Sequence, residues 1–260
     1  MFKPINLKVN YTKPEYATAD TKSPVFSWGV AGKEQLAYRA TVTFLDKCLW
    51  DTGIVKSEQT SCVYDGLSLP SGAVVNWELQ LFDKDENQSK IGRSYFKTAC
   101  FDVLLGKWIE SPYEKDFEVQ YFTKDFSIVQ KPERAVLYHC GLGLSKAYIN
   151  GNETDNYRLQ PLHTNYAKDC FYVTTPLDTD KFGIGKNKLQ ITVAGGWRTN
   201  FGHYLDNMSA IRQIEFMGKK CLWAMLVLYY ENGEKEVIVT DADWNVTDPL
   251  IKVNRKNKKC

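Results

Sequence analysis

Short runs in which apolar and polar residues alternate with a period of two recur along nearly the whole chain, and almost no stretch keeps the 3.6-residue period of an amphipathic helix. Tyr38-Arg39-Ala40-Thr41-Val42-Thr43-Phe44 and Asn76-Trp77-Glu78-Leu79-Gln80-Leu81-Phe82 both alternate, and turn chemistry such as Asp51-Thr52-Gly53 or the polar stretch from Asp83 to Asn87 bounds them. They read as half-buried antiparallel strands. Arg134 to Cys140 and Lys188-Leu189-Gln190-Ile191-Thr192-Val193 repeat the pattern, and Tyr148-Ile149-Asn150-Gly151-Asn152 reads as a strand entering an Asn-Gly hairpin turn. The most apolar stretch, Leu222 to Tyr230, is long enough for a short helix. Glu231-Asn232-Gly233-Glu234 and the strand-like Val237-Ile238-Val239-Thr240 follow it, so a closing hairpin is the more economical reading. The expected class is all-β.

Cys100 to Ile109 leads into Glu110-Ser111-Pro112-Tyr113, where strand alternation stops and a proline interrupts the chain, which places a domain boundary near Gly106. Residues 1–106 then suit a fibronectin- or immunoglobulin-like antiparallel β-sandwich, and 107–250 are enough for a jelly roll. Residues 251–260 form a basic, polar tail that reads as a solvated terminus. Trp28, Trp50 and Trp77 each sit in or beside a strand-like run and are expected in or against the first core.

Composition excludes several function classes. With 33 basic against 31 acidic residues the formal charge is +2, too little for a cationic field that draws a protein onto nucleic acid or anionic lipid. The first residues, Met1-Phe2-Lys3-Pro4-Ile5-Asn6-Leu7-Lys8, lack the apolar run of a secretory signal, and no segment is long and apolar enough to span a bilayer, so a cytoplasmic location is expected. The seven cysteines are odd in number, widely spaced and without a CxxC pair, which suits reduced, buried thiols rather than disulfides or a zinc knuckle. His139, His163 and His203 lack ligand-like spacing. No GxSxG elbow, phosphate-binding glycine loop or basic-aromatic patch is present. The acidic residues Asp46, Asp51, Asp83, Asp85, Asp155, Asp178, Asp180, Asp206, Asp241 and Asp243 lie mostly in turns, where aspartate serves the backbone, so no catalytic pair is expected.

Several segments carry a family resemblance. Ser23-Pro24-Val25-Phe26-Ser27-Trp28, Leu49-Trp50-Asp51-Thr52-Gly53, Tyr64-Asp65-Gly66-Leu67 and Val75-Asn76-Trp77-Glu78-Leu79, followed by Lys107-Trp108-Ile109, Tyr148-Ile149-Asn150-Gly151, Leu159-Gln160-Pro161, Thr164-Asn165-Tyr166, Gly195-Gly196-Trp197 and Thr240-Asp241-Ala242-Asp243-Trp244, occur in order across nearly the whole chain. Together they resemble the N-terminal β domains of bacterial α-L-rhamnosidases, glycoside hydrolase family 78. That family hydrolyses terminal α-L-rhamnose in an (α/α)6 barrel after these domains, and the barrel supplies the acid and base of the inverting reaction. The resemblance therefore implies a chain without catalytic residues, inactive alone, whose partner is such a barrel polypeptide.

The resemblance also implies a sugar site. In some relatives the second domain binds L-rhamnose with a calcium ion held by loop oxygens. Here Asp155 and Asn156, just after the Asn-Gly turn, are hard oxygen donors. Asn200, with Asp206 or Asn207, would complete a calcium set, and Trp197 offers an apolar face to the ring, so the expected carbohydrate residues are Asp155, Asn156, Trp197 and Asn200. The bland alternative is that Asp155 and Asn156 form a turn and Trp197 packs inward. The first domain is expected to bind nothing. Leu162 and His163 stand where the family commonly has Gly and Trp, a departure that bears on sugar binding. Two readings follow: an accessory, rhamnose- or glycan-binding front end, for which no cofactor is required and calcium is the candidate ion, or a structural β module packing on a catalytic partner. A free-standing hydrolase is the third.

Overall fold

A computed structural model describes residues 1–112, 119–166, 168–196 and 218–247. The chain divides into two compact units, Met1–Val103 and Leu104–Cys260. Among the described residues there is no α-helix, only a single 3-10 turn at Thr179–Lys181, and no helix long and apolar enough to cross a membrane.

The first unit contains β1 (Lys3–Val9), β2 (Thr18–Ala19), β3 (Val25–Ala31), β4 (Ala37–Phe44), β5 (Lys47–Asp51), β6 (Val55–Lys56), β7 (Ser61–Val63), β8 (Val74–Phe82) and β9 (Gly92–Thr98). They form a three-stranded sheet, β1-β3-β7, and a six-stranded sheet, β2-β9-β8-β4-β5, in which β6 also pairs with β4. Every pairing is antiparallel except that of β2 with β9. Alternation decides which side chains enter the core: on β8, Val75, Trp77, Leu79 and Leu81 are buried while Val74 and Asn76 face out. Phe26 from the smaller sheet meets Trp77 from the larger at a ring separation of 4.7 Å and Phe96 edge-on at 5.7 Å. Each such ring contributes roughly 1.5–3 kcal/mol by leaving water. Trp28 and Trp77 are core residues and Trp50 packs half-buried against them, as the sequence predicts.

The second unit contains β10 (Ile109–Glu110), β11 (Gln120–Ile128), β12 (Arg134–Leu142), β13 (Leu144–Ile149), β14 (Asn152–Glu153), β15 (Val173–Leu177), β16 (Gly185–Ala194), β17 (Cys221–Tyr229), β18 (Lys235–Val239) and β19 (Asn245–Thr247). One sheet runs β10-β17-β12-β15 with β18 also on β17, and the other runs β14-β13-β16-β11-β19. Their inner faces meet through Leu137, Ile149, Leu189, Ile191, Leu226 and Leu228. β17 and β18 form the hairpin expected at Leu222 to Tyr230. The helix–strand ambiguity there has a physical source: β17 is buried on both faces, since Trp223, Met225 and Val227 are covered as well as Leu222, Ala224 and Leu226. A strand buried on both faces loses its alternation and reads as a continuous apolar run. Leu105 crosses its outer side, where the Leu105 carbonyl accepts a hydrogen bond from the Trp223 indole at 3.0 Å. Gly106, at φ +101°, belongs to this second unit, because a Cβ there would stand 3.1 Å from the Val239 side chain.

One expectation needs correction. The six described cysteines form no disulfide with one another, but of these only Cys140 and Cys221 are buried, and Cys48 is exposed. In β5 the inward position goes to Leu49, so the pleat turns Cys48 to solvent although the run around it is apolar.

Candidate functional site

The Asn-Gly turn after β13 builds the loop that carries Asp155. Asn150 and Gly151 have φ of 50° and 82°, the two left-handed residues that a tight two-residue hairpin needs, and they pair Ile149 with Asn152 and Tyr148 with Glu153. Asn150 is locked by its amide, which donates to the Lys181 carbonyl at 2.9 Å and to Asn187 Oδ1 at 2.8 Å, while its Oδ1 accepts from the Lys188 amide at 2.8 Å. The chain therefore leaves β14 in a fixed direction and turns at Thr154 and Asp155.

Asp155 is committed to holding this loop. Its Oδ1 accepts the Tyr157 amide at 2.8 Å and the Lys146 ammonium at 3.0 Å, and Oδ2 accepts the Thr154 hydroxyl at 3.3 Å. Lys146, on β13, also donates to the main-chain oxygens of Asp155 and, at 3.2 Å, Tyr157, and its nitrogen lies 3.4 Å from Glu153 Oε2. Only 14% of the Lys146 side chain and 11% of the Asp155 side chain are exposed. Glu153 in turn pairs with Arg158 at 3.1 Å. An oxygen cage of the sort a hard cation prefers thus already surrounds an ammonium attached to the chain. A calcium ion does not fit these donors while Lys146 stays among them, because the ammonium takes the same oxygens and repels a second cation. Among the described residues no group of three His, Cys, Asp or Glu side chains could hold a metal ion.

Of the other expected site residues, Asn156 is exposed beside Asp155. Trp197, Asn200, Asp206 and Asn207 lie outside the described residues. The approach to Trp197 is fixed as far as Gly196: a Cβ on Gly196 would stand 2.8 Å from the Gly143 carbonyl carbon, and one on Gly143 (φ +137°) would stand 2.2 Å from the Ala194 oxygen. Gly143 and the end of β16 therefore touch backbone to backbone, which gives a packing reason for the Gly195-Gly196 pair.

The loop from Asp155 to Phe171 presents more than the sequence reading assigned to it. Ser145 pins it, donating its amide to the Gln160 carbonyl at 2.6 Å, and so does Thr164, whose buried hydroxyl donates to the Asp169 carbonyl at 2.8 Å. From this anchored backbone Tyr157, Leu159, Leu162 and Phe171 are exposed, Leu159 by 71% and Leu162 by 70%. His163 stands edge-on to Tyr166 at 5.5 Å. The missed signal was the coincidence of aromatic and leucine residues with a stretch where strand alternation stops.

Inside the same unit, His139 on β12 is 2% exposed and its Nδ1 has no hydrogen-bond partner among the described residues. Burial pushes its pKa down to about 4, with Asp155 pulling upward and Lys146 pushing downward, so the ring is neutral at ordinary pH. Several carboxylates weighed as catalytic candidates are structural partners. Asp51 pairs with Arg39 at 2.5 Å, Asp83 with Lys33, Asp180 with Lys131 and Asp241 with Lys124, while Asp178 caps the 3-10 turn.

Two family models match this chain. Residues 130–256 match the domain described as "Alpha-L-rhamnosidase N-terminal domain", and residues 4–102 match "Rha78A-like, N-terminal immunoglobulin domain". The chain is 25% identical over 271 residues to an α-L-rhamnosidase of Formosa agariphila, covering 89% of this chain and 28% of that protein. It is 26% identical to one from Alteromonas sp. (strain LOR), covering 94% and 29%. Among solved structures, the α-L-rhamnosidase of Dictyoglumus thermophilum superposes with a TM-score of 0.74 at 25% identity, covering 95% of this chain and 30% of that one. That of Aspergillus terreus gives 0.73 at 20%, a likeness of fold. The chain thus spans under a third of the length of these relatives.

Proposed function

The chain belongs to the N-terminal β region of the α-L-rhamnosidases, and from that premise we propose that it serves as an accessory, glycan-binding front end that takes L-rhamnose or a rhamnosylated glycan on its second unit and assists hydrolysis by a catalytic domain on another stretch of polypeptide. The observation that carries this reading is the loop from Asp155 to Phe171, whose backbone is pinned from inside while Tyr157, Leu159, Leu162 and Phe171 face out beside the free end of Asn156. A deoxy sugar has an apolar edge to lay on such side chains and hydroxyls for the amide. In this reading Lys146 does the structural work that calcium would do elsewhere, so the ion is not needed for the loop to hold its shape.

Calorimetry with L-rhamnose on the whole chain tests it. Heat of binding that is unchanged by a chelator and lost in Tyr157→Ala is the expected result, and absence of heat at millimolar sugar overturns sugar binding. A second reading, a structural module that packs on the catalytic domain without touching sugar, is favoured by the 70% exposure of Leu162, which offers apolar surface to another protein. In either reading the chain alone does not hydrolyse an aryl α-L-rhamnoside at an enzymatic rate. Turnover by the pure protein, abolished by changing one of its own carboxylates, would overturn that.

A further inference from the structure

In the first unit, residues of the three-residue edge strand β7 line one opening together with residues of β5 and β6 from the other sheet. The opening forms a cleft of about 680 Å3, inside the ~300–1,000 Å3 span of small-ligand sites. We infer that this cleft is a second carbohydrate subsite, taking one pyranose unit between Trp50 and Tyr11.

The cleft is built rather than incidental. Trp50 is held from behind by Phe26, stacked at 6.0 Å, and by Tyr64, edge-on at 5.2 Å, so its ring cannot swing while its free surface lines the opening. The Tyr64-Asp65-Gly66 turn packs against the base of the same side chain: a Cβ on Gly66 would stand 2.5 Å from Trp50 Cβ, and the Leu67 amide donates to the Leu49 carbonyl at 2.9 Å. That packing sets Asp65 at the rim beside Trp50. Across the opening, Asn10 is tied to Val25 by two hydrogen bonds, its amide donating at 2.8 Å and its side-chain oxygen accepting at 2.9 Å, which brings Tyr11 to the edge with 68% of its surface exposed.

The polar groups around this aromatic pair suit hydroxyls. The Asp65 carboxylate, the Gln59 amide and the Ser61 hydroxyl line the cleft and make no side-chain hydrogen bond to any described residue, so they are available to a ligand. Asp51, the other acid at the rim, is already neutralised by Arg39 through two hydrogen bonds. The floor is uncharged, since burial pushes the Cys62 thiol up to about 11. An aromatic wall, one free carboxylate, one free amide and a neutral floor are the complement of an uncharged, hydroxyl-rich ring. With a free carboxylate and no lysine or arginine among its lining residues, the cleft disfavours phosphates and other anions.

This inference does not rest on the loop of the second unit, and one titration separates the two. In the whole chain, methyl α-L-rhamnoside and methyl β-D-glucoside are titrated while proton–nitrogen correlation spectra follow the Trp50 indole, identified by its absence in Trp50→Phe, and the Gln59 side-chain amide. Either glycoside should shift both signals saturably, and Asp65→Ala and Tyr11→Ala, both exposed positions, should each weaken the affinity at least tenfold without disturbing the spectrum elsewhere. No shift of these signals at tens of millimolar of both glycosides, or unchanged affinity in both variants, overturns the inference. Shifts confined to the second unit would do so while leaving the proposed function standing.

Discussion

At the scale of single residues, Lys146 is the side chain on which the expected site turns. Its ammonium draws together Asp155, the Tyr157 carbonyl and Glu153, and it is nearly out of solvent. An aspartate in an ordinary exposed turn can be replaced at modest cost, and that is what the sequence suggests for Asp155. The structure indicates otherwise: Asp155→Ala strips a largely buried ammonium of its main counter-charge, and urea unfolding should show a loss of about 2 kcal/mol or more. The reciprocal change gives a sharper outcome. In Lys146→Ala the same oxygens are left facing one another without a cation, so millimolar calcium should raise the thermal midpoint of this variant by several degrees and leave the unchanged protein where it was. Equal response of the two proteins would show that the oxygen cage is not what holds the loop.

At the scale of elements, legibility in the sequence followed burial geometry. Strands with one buried face, such as β4, β8 and β16, alternate and are readable. β17 is covered on both sides and was separable from a helix only by the turn behind it. The Asn150-Gly151 turn was legible because only such a pair accepts two consecutive positive φ angles cheaply. The loop beyond was not, because its shape depends on Lys146, nine positions earlier on β13, and in sequence a lysine at an outward strand position reads as solvated. The Gly143 contact was equally hidden: a glycine between two strands suggests a turn, whereas its structural role is to let Ala194 approach. Gly143→Ala combines a left-handed backbone with a Cβ 2.2 Å from a carbonyl oxygen, so it should cost at least about 2 kcal/mol. Gly151→Ala has the strained φ but nothing within 4 Å, and should cost only about 1 kcal/mol. Chemical unfolding of the pair measures the difference, and equal losses would remove the packing argument.

At the scale of the whole molecule, the two units carry their acid sensitivity in different groups, and this predicts different responses to pH. In the first unit, Lys33, with help from the Asn87 and Asp85 amides, holds Asp83 well below the usual carboxylate range, and Arg39 with the Gly53 amide holds Asp51 down at about 2. A depressed carboxylate adds stability that is complete above its unfolded value of about 3.9 and is lost as pH falls toward its folded value. The first unit should therefore be insensitive from neutrality to about pH 5 and weaken only below about 4. The second unit contains His139, which burial keeps neutral down to about pH 4, whereas in the unfolded chain it takes a proton near 6.5. Between these values the unfolded state binds more protons, so the second unit loses stability as pH falls through that window. Asp180, lowered by Lys131, acts only below it. Urea midpoints read separately from amide signals of β8 and β12 should thus diverge between about pH 6.5 and 4, with β12 falling and β8 level. In His139→Leu, which cannot take up a proton, the β12 slope should flatten. A slope that survives the substitution, or midpoints that fall together in both units, would show that the buried imidazole does not set the acid response.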